Sequence, residues 1–558
     1  MENQALADQF ELLSKLIDIH GDDSFKAKTY ASAAFTIEKL PYPLENLSKE
    51  KWASIRGIGN SIAASINEII ETGELALLKQ YINNTPVGVI EMLQIKGIGP
   101  KKIHTIWKEM GIESIGELLY ACQENRLTLF KGFGEKTQQN VQSAIEFLMQ
   151  HQGHFLYAEM EALFPSIDTY LKKVFGEENV AVTGSYRTQQ VTISELSFVI
   201  RKTKKEIKPA FATAQPPELL EETETTLLYQ LKNGLKLQLL AAPTNYTETL
   251  FKTSCSDEFL NSFEKQFPGA LINSDTEQAL FKEAGLPYIQ ACLRERDSII
   301  EQAKSNKLPK LIQPEDICGL IHCHSNWSDG KNSIEEMASA CIDNNWQYML
   351  ISDHSQTAFY ANGLKENRLV EQHKQIEQLN KGFTEFRIYK GIESDILNDG
   401  QLDYPAEVLN SFDLIIASVH SNLRMPAEKA NARILKAIEN PYTSILGHPT
   451  GRLLLSRNGY PINHELIIDA CAQNNVAIEI NAHPRRLDLD WKWIEYALEQ
   501  GVLLSINPDA HNIEGINDVK YGVLAAQKGG LEKNKNLSSF SFSEMEVFIK
   551  AQKAKRPH

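Results

Sequence analysis

A series of candidate metal-ligand residues, spread over about the last 240 positions, constrains this chain more than any other feature. His322 and His324 open it in IHCHSNWSDG, which also carries Asp329. Asp353 and His354 follow in ISDHS, then Glu393 in GIES, His420 in SVHS and His448 in GHPTGR. Asp509 and His511 close it in NPDAH. Most of them follow short apolar runs such as YMLIS, LIIAS and LLSIN, the pattern of strands buried on both faces. A polar residue just past the C-terminal end of a buried parallel strand is where a β/α barrel builds its site. A single His at such a place usually means a satisfied core residue. Six of them, joined by Asp and Glu at successive strand ends, point to a designed cluster.

The residue types fix the chemistry. In His322-x-His324 an extended backbone turns both imidazoles to one side and Cys323 to the other. Imidazole and carboxylate together suit zinc, manganese or iron(II), and a carboxylate such as Glu393 can bridge two ions. The nine positions His322, His324, Asp329, His354, Glu393, His420, His448, Asp509 and His511 are too many for one ion and suit two or three. Clustered divalent ions activate water and stabilise the charge that develops when a phosphate ester is cleaved.

The N-terminal third carries a different signal. Ile55-Arg56-Gly57-Ile58-Gly59, Ile95-Lys96-Gly97-Ile98-Gly99 and Phe130-Lys131-Gly132-Phe133-Gly134 share one pattern, and a helical pattern follows each. A Gly-x-Gly hairpin brings backbone N–H groups at a helix N-terminus close to a phosphate. Lys101, Lys102 and Lys136 stand where they would add phosphate contacts that read no sequence. One copy is compatible with an ordinary glycine cap; three favour DNA-backbone binding.

The 558 residues suffice for three to five domains. Seven Cys without CxxC spacing argue against a disulfide framework and against a thiolate zinc site. With no N-terminal apolar leader or long apolar span, a cytoplasmic protein without membrane contact is expected. A net charge of −15 excludes a generic nucleic-acid coat but leaves local basic surfaces open.

The ligand strings resemble the PHP (polymerase and histidinol phosphatase) family from about Glu315 to Gln527. The resemblance implies a distorted (β/α)7 barrel with a trinuclear centre. His322, His324, Glu393 and Asp509 would hold one ion and carry catalysis; Glu393, His420 and His448 would hold a second, and Asp329, His354 and His511 a third. Manganese is the metal the resemblance implies, while the ligand set alone also permits zinc or iron(II). With DSFKAKTYASAAFTIEKLP, GIGPKKIHTIWKEMGIESIGELL, VTGSYR and AGLPYI added, the whole chain resembles bacterial and archaeal family X DNA polymerases that carry a C-terminal PHP exonuclease.

Two departures stand out against that resemblance. The family's palm holds two magnesium ions on two Asp of one strand and a third Asp on its neighbour; here Glu195, Ser197 and Gln238 occupy those positions. Thr188, Gln189 and Gln190 replace the Arg-Gly-Lys that approaches the triphosphate. One Glu beside neutral Ser and Gln lacks the charge to hold two hard cations, so a folded but silent palm is expected. Ser65 stands at the family's Schiff-base Lys position and Ser61 at another basic position, so no lyase activity is expected.

The expected architecture is multidomain α/β: helical helix-hairpin-helix domains at 1–80 and 81–150, an α+β nucleotidyltransferase-like palm and thumb at 151–300, a linker at 301–314, and the PHP barrel at 315–558. The basic run at 201–209 reads as a solvated loop and the tail KAKRPH as frayed. The expected function is a monomeric, metal-dependent 3′–5′ exonuclease of DNA repair acting on gapped, nicked or 3′-ended DNA. Arg452, Arg457, Arg485 and Arg486, in loops after ligand-bearing strands, would hold flanking phosphates. The competing readings are a template-directed gap-filling polymerase, a non-catalytic DNA-end scaffold, and a phosphatase for a small phosphomonoester.

Overall fold

The computed structural model describes residues 3–40, 43–44, 47–55, 57–149, 153–212, 216–232, 234–270 and 274–557; Arg56 of the first hairpin lies outside them. The chain divides into two compact units, Met1–Leu148 and Met149–His558.

The first unit is helical. Helix α1 (Asn3–His20) packs against α2 (Ser24–Glu38), whose Ala27, Tyr30, Ala33, Ala34 and Ile37 recur at helical spacing and are buried. Asp23 caps α2 by accepting from the Phe25 and Lys26 N–H groups. Helix α3 (Asn60–Thr72) buries Ile62, Ile66 and Ile69 and ends on Gly73 at φ 84°, a left-handed cap. Helices α4 (Pro100–His104) and α5 (Glu135–Met149) follow the second and third hairpins.

The second unit begins with a five-stranded sheet: β1 (Val180–Thr183), β2 (Glu195–Ile200), β3 (Glu218–Glu222), β4 (Thr226–Gln230) and β5 (Lys236–Ala241), in the order β1-β2-β5-β4-β3. Strands β2 and β5 run parallel, with Ser197 opposite Gln238. The run at 201–209 is not the loop expected. Lys204–Ile207 is helical, with Thr203 as its cap, and Lys204 and Lys208 pair with Glu222 of β3. Opposite charges on the neighbouring strand give those lysines an ordered place.

Seven parallel strands form the barrel: β6 (Gly319–Cys323), β7 (Tyr348–Ile351), β8 (Arg387–Asp395), β9 (Leu414–Ser418), β10 (Ile445–Leu446), β11 (Ala477–Asn481) and β12 (Leu504–Asn507). They are hydrogen-bonded in sequence order, and a parallel bridge between Cys323 and Ala510 links the first strand to the segment leaving the last. Strands β6, β7, β9, β11 and β12 are buried at every position, as expected of a sheet covered on both faces. The C-terminal tail departs from its expected fraying: Arg556 is buried and donates to the carbonyls of Phe412 (2.8 Å) and Asp413 (3.1 Å). Carbonyl oxygens left over where β9 begins hold the guanidinium in place.

Candidate metal centre

The barrel gathers all nine candidate ligands at the C-terminal ends of its strands. His322 and Glu393 lie within β6 and β8; His324, His354, His420, His448, Asp509 and His511 follow β6, β7, β9, β10 and β12. Eight of the nine are buried, and the His420 side chain is only 6% exposed. Among the nine candidates, three groups have ligand atoms within 4.8 Å of one another: His324, Asp329, His354 and His511; His322, His324 and Asp509; and His354, Glu393 and His420.

Glu393 lies at the middle of this arrangement. Its Oε1 is 3.3 Å from His322 Nε2 and 3.0 Å from the Nε2 atoms of both His420 and His448. Its Oε2 is 3.0 Å from His354 Nδ1 and 3.7 Å from His324 Nε2. Asp509 Oδ1 is 3.0 Å from His324 Nε2 and 3.3 Å from His322 Nε2. Asp329 places its two oxygens 3.5 Å from His354 Nε2 and His511 Nε2.

The extended H-x-H segment is not observed. His322 has φ 63°, and the β6–β7 register shifts between Leu320 and Cys323. A bulge re-aims side chains locally, and here the two rings still meet, 5.4 Å apart. Cys323 points away as expected, its thiol donating to the Leu350 carbonyl in the surrounding core.

The electrostatics suit cation binding. Burial opposes ionisation of Asp329, Glu393 and Asp509, yet the surrounding imidazoles outweigh it and hold all three well below the usual carboxylate range. Burial, reinforced by His511 and His354, pushes His324 down to about 3, so it stays a neutral donor. The buried nitrogens His324 Nδ1 and His354 Nε2 lack a hydrogen bond of good geometry. Burial also opposes charge on His322, His354 and His420, but the neighbouring carboxylates outweigh it and hold all three above the ordinary imidazole value. Carboxylates that gather positive charge in this way, with the uncharged donor His324 among them, fit divalent metal.

Sequence reasoning misses the residues behind these ligands. Glu479 of β11 is fully buried and its Oε2 lies 2.6 Å from His322 Nδ1. It also accepts from Asn481 (2.8 Å) and Asn507 (2.9 Å). Asp395 holds His420 Nδ1 in the same way. Such carboxylates fix the tautomer and orient the ring. A lone acid inside the apolar run VAIEINA is the one signal that could have revealed Glu479. Glu479→Gln should weaken metal affinity by about 10–100-fold, measured as the activating metal concentration; an unchanged value would make the contact merely structural.

Asp353, grouped in sequence with the ligands, belongs to none of the three clusters. It accepts from Ser325 N (2.8 Å), Ser325 Oγ (2.7 Å), Ser328 Oγ (2.5 Å) and Gln372 Nε2 (2.6 Å), and so shapes the loop that carries Asp329. Its carboxylate is saturated by donors. Of the four arginines, Arg486 reaches the centre, its Nε 3.8 Å from Asp509 Oδ2. Arg452 pairs with Asp490 and donates to the Arg486 carbonyl (2.9 Å). Arg457 donates to the Gly451 carbonyl (2.8 Å), and Arg485 lies 3.7 Å from Glu159.

Of the positions read in the sequence as the palm's, Glu195 and Ser197 lie on β2, and Gln238 pairs with Ser197 from β5. Burial raises the Glu195 carboxyl above its ordinary value. The Thr188–Gln190 loop is engaged by the barrel's last-strand helix, α6 (Val519–Lys528). Lys528 Nζ donates to the Thr188 carbonyl (2.7 Å) and pairs with Glu295; Gln190 also donates to Glu295 (2.7 Å), and Gln189 to Gln527 (3.2 Å).

In the first unit Gly57, Gly97 and Gly132 take φ 97°, 99° and 94°, a region that favours glycine. Gly59 and Gly99 cap α3 and α4 at negative φ, and a Cβ on either of them or on Gly134 would meet open space. Among the described residues, no neighbouring atom requires glycine at those three positions. Lys101 and Lys136 are exposed, and Lys102 reaches over the Phe133 ring of the third hairpin (5.6 Å).

Comparison with known proteins agrees with this layout. Residues 1–75 match a helix-hairpin-helix domain, 89–146 a SAM-like helix-hairpin-helix tandem, and 321–483 the PHP domain. The chain is 32% identical to the "DNA polymerase/3'-5' exonuclease PolX" of Bacillus subtilis over 97% of this chain and 98% of that protein. The chain belongs to the PolX family. Parts of the chain are also similar to two proteins named as probable phosphatases. The one from Caldanaerobacter subterraneus is 35% identical over 17% of this chain and 36% of its own length; the one from Thermoanaerobacter sp. is 28% identical over 30% and 70%. Among the described residues no helix is long and apolar enough to cross a membrane.

Proposed function

We propose that this PolX-family protein is a metal-dependent 3′–5′ exonuclease acting on gapped, nicked or 3′-ended DNA in repair. The observation that carries the reading is Glu393, with five imidazoles around its two oxygens in a buried centre that lacks no ligand of the family pattern. Two or three divalent ions, manganese foremost and zinc or iron(II) as alternatives, would supply activated water and charge stabilisation at the phosphorus. His322, His324, Glu393 and Asp509 hold the catalytic position, with the other five ligands completing the centre. Arg486, beside Asp509, is placed to bind a phosphate oxygen of the strand end.

The glycine hairpins present helix N-termini to the DNA backbone, and the open space beside Gly59, Gly99 and Gly134 leaves room for a phosphate. Lys101, Lys102 and Lys136 add sequence-independent contacts. The palm serves as a silent support. Ser197 and Gln238 give it no second and third anion, and Thr188–Gln190 are occupied by contacts to Lys528, Gln527 and Glu295. The reading is completed by a monomer acting in the cytoplasm.

A 5′-labelled, 3′-recessed duplex incubated with manganese, with and without the four deoxynucleotides, tests both halves. The expected result is shortening, absent from His322→Ala/His324→Ala, with no extension. Extension by the wild type would overturn the silent palm. The probable-phosphatase relatives make p-nitrophenyl phosphate the comparison substrate; turnover of that ester alone would favour a small-molecule phosphatase.

A further inference from the structure

We infer that Phe359 and Lys331 grip a DNA strand end beside the metal centre. The ring of Phe359 stacks on a base flanking the scissile phosphodiester, and Lys331 binds a neighbouring backbone phosphate. The inference rests on the exonuclease reading and names substrate-holding residues outside the ligand set.

Both residues stand on loops that carry metal ligands. Lys331 is two residues after Asp329, and its N–H donates to the carbonyl of His511 (2.8 Å), so its backbone is fixed between two ligands. Its side chain is exposed and makes no hydrogen bond or ion pair among the described residues. Phe359 follows His354 by five residues, in a loop closed where Leu364 N donates to the His354 carbonyl (2.9 Å). Thr357 N donates to Asp403 Oδ2 (2.7 Å) and Gln356 Nε2 to the Asp403 carbonyl (2.8 Å), which pins one arm of that loop. Arg368 joins the two loops by donating to the carbonyls of Asn362 (2.8 Å) and Trp327.

The tip of the Phe359 loop is apolar yet faces solvent. Ala358 and Ala361 are fully buried, while Phe359 between them is 76% exposed. Its ring meets Tyr360 edge-on, with centroids 5.8 Å apart and planes at 80°. The Tyr360 ring is in turn 6.3 Å from that of His354, so a single ring separates Phe359 from a ligand. An edge-on contact at this exposure leaves a ring face open, and every base offers the matching π-face. A lone surface Phe is ordinary. This one is held on an anchored loop, so a base that stacks on it meets a wall already ordered. The unpaired ammonium on the Asp329 loop supplies the charge that the strand's next phosphate requires.

The test compares two single-stranded hexanucleotides, one ordinary and one whose last two 3′ nucleosides are abasic, which keeps the backbone and removes the bases. Phe359→Ala should lower the ordinary-to-abasic ratio of kcat/KM about tenfold through KM, with Phe359→Trp restoring it. Lys331→Gln should reduce the slope of log affinity against log salt by about 0.7. That slope is read by fluorescence anisotropy on the ordinary hexanucleotide in the His322→Ala/His324→Ala background. An unchanged ratio would overturn the stacking role, and an unchanged slope the phosphate contact, each leaving the nuclease intact. A wild-type protein that cleaves neither hexanucleotide would overturn the exonuclease reading and this inference with it.

Discussion

Glu393→Gln is expected to lower manganese-supported exonuclease turnover on the order of 10³-fold, several kcal/mol of transition-state stabilisation. The substitution keeps the shape of the side chain and removes the charge that five imidazoles surround. An amide offers one acceptor oxygen where the carboxylate offers two, so it cannot bridge neighbouring ions. Metal content per protein should fall by at least one ion, while far-ultraviolet circular dichroism stays that of the wild type. Full turnover with full metal content would sink the bridging role. Since Glu393 serves two of the three proposed ion sites, its loss should exceed that of His448→Ala, which borders one.

The largest expected stability effect lies away from the metal. Glu277→Leu should destabilise the second unit by about 3–5 kcal/mol, because it leaves a buried arginine uncompensated. Arg294 is fully buried, and its Nη1 donates to Glu277 Oε1 at 2.7 Å; Arg187 takes both oxygens of the same carboxylate. Phe251 and Phe281 close over the guanidinium at 5.1 Å each, leaving no route to water. The midpoint of thermal unfolding should drop on the order of 10 °C, and Glu277→Leu/Arg294→Met should recover much of it. Burial pushes the Glu277 carboxyl up, but Arg187 and Arg294 outweigh it and hold it below its ordinary 4.5. A depressed carboxylate stabilises above its unfolded value and loses that contribution as pH falls through the folded value. The gap between wild type and Glu277→Leu should therefore be widest above pH 4.5 and narrow in acid; a gap independent of pH would refute the ionic account.

How far the sequence discloses this molecule depends on how local each signal is. LIIAS and LLSIN are legible as strands because they are apolar at every position, and the polar residues after them mark the site. Strand β10 spans only Ile445–Leu446, so the motif GHPTGR rather than the strand announces His448. The left-handed turn at His322 is invisible in an H-x-H string, because it arises from a register shift against β7. Glu479 and Asp395 look like ordinary strand residues until β6 and the segment after β9 bring imidazoles to them. Asp353 misleads in the other direction. It sits beside a ligand in sequence, yet its oxygens are taken by Ser325, Ser328 and Gln372, a fact set by a loop and a helix distant in the chain. The order at Arg556 likewise depends on carbonyls more than 140 residues away.

The contact of Lys528 with Thr188 and Glu295 makes one buried ammonium the joint between two sheets. Its Nζ donates to the Thr188 carbonyl and pairs with Glu295, which also accepts from Gln190, while Gln189 donates to Gln527. The Lys528 side chain is fully buried. Removing it would leave Glu295 without its cation and the Thr188 carbonyl without its donor, so the five-stranded sheet and the barrel would lose their shared anchor in a single substitution.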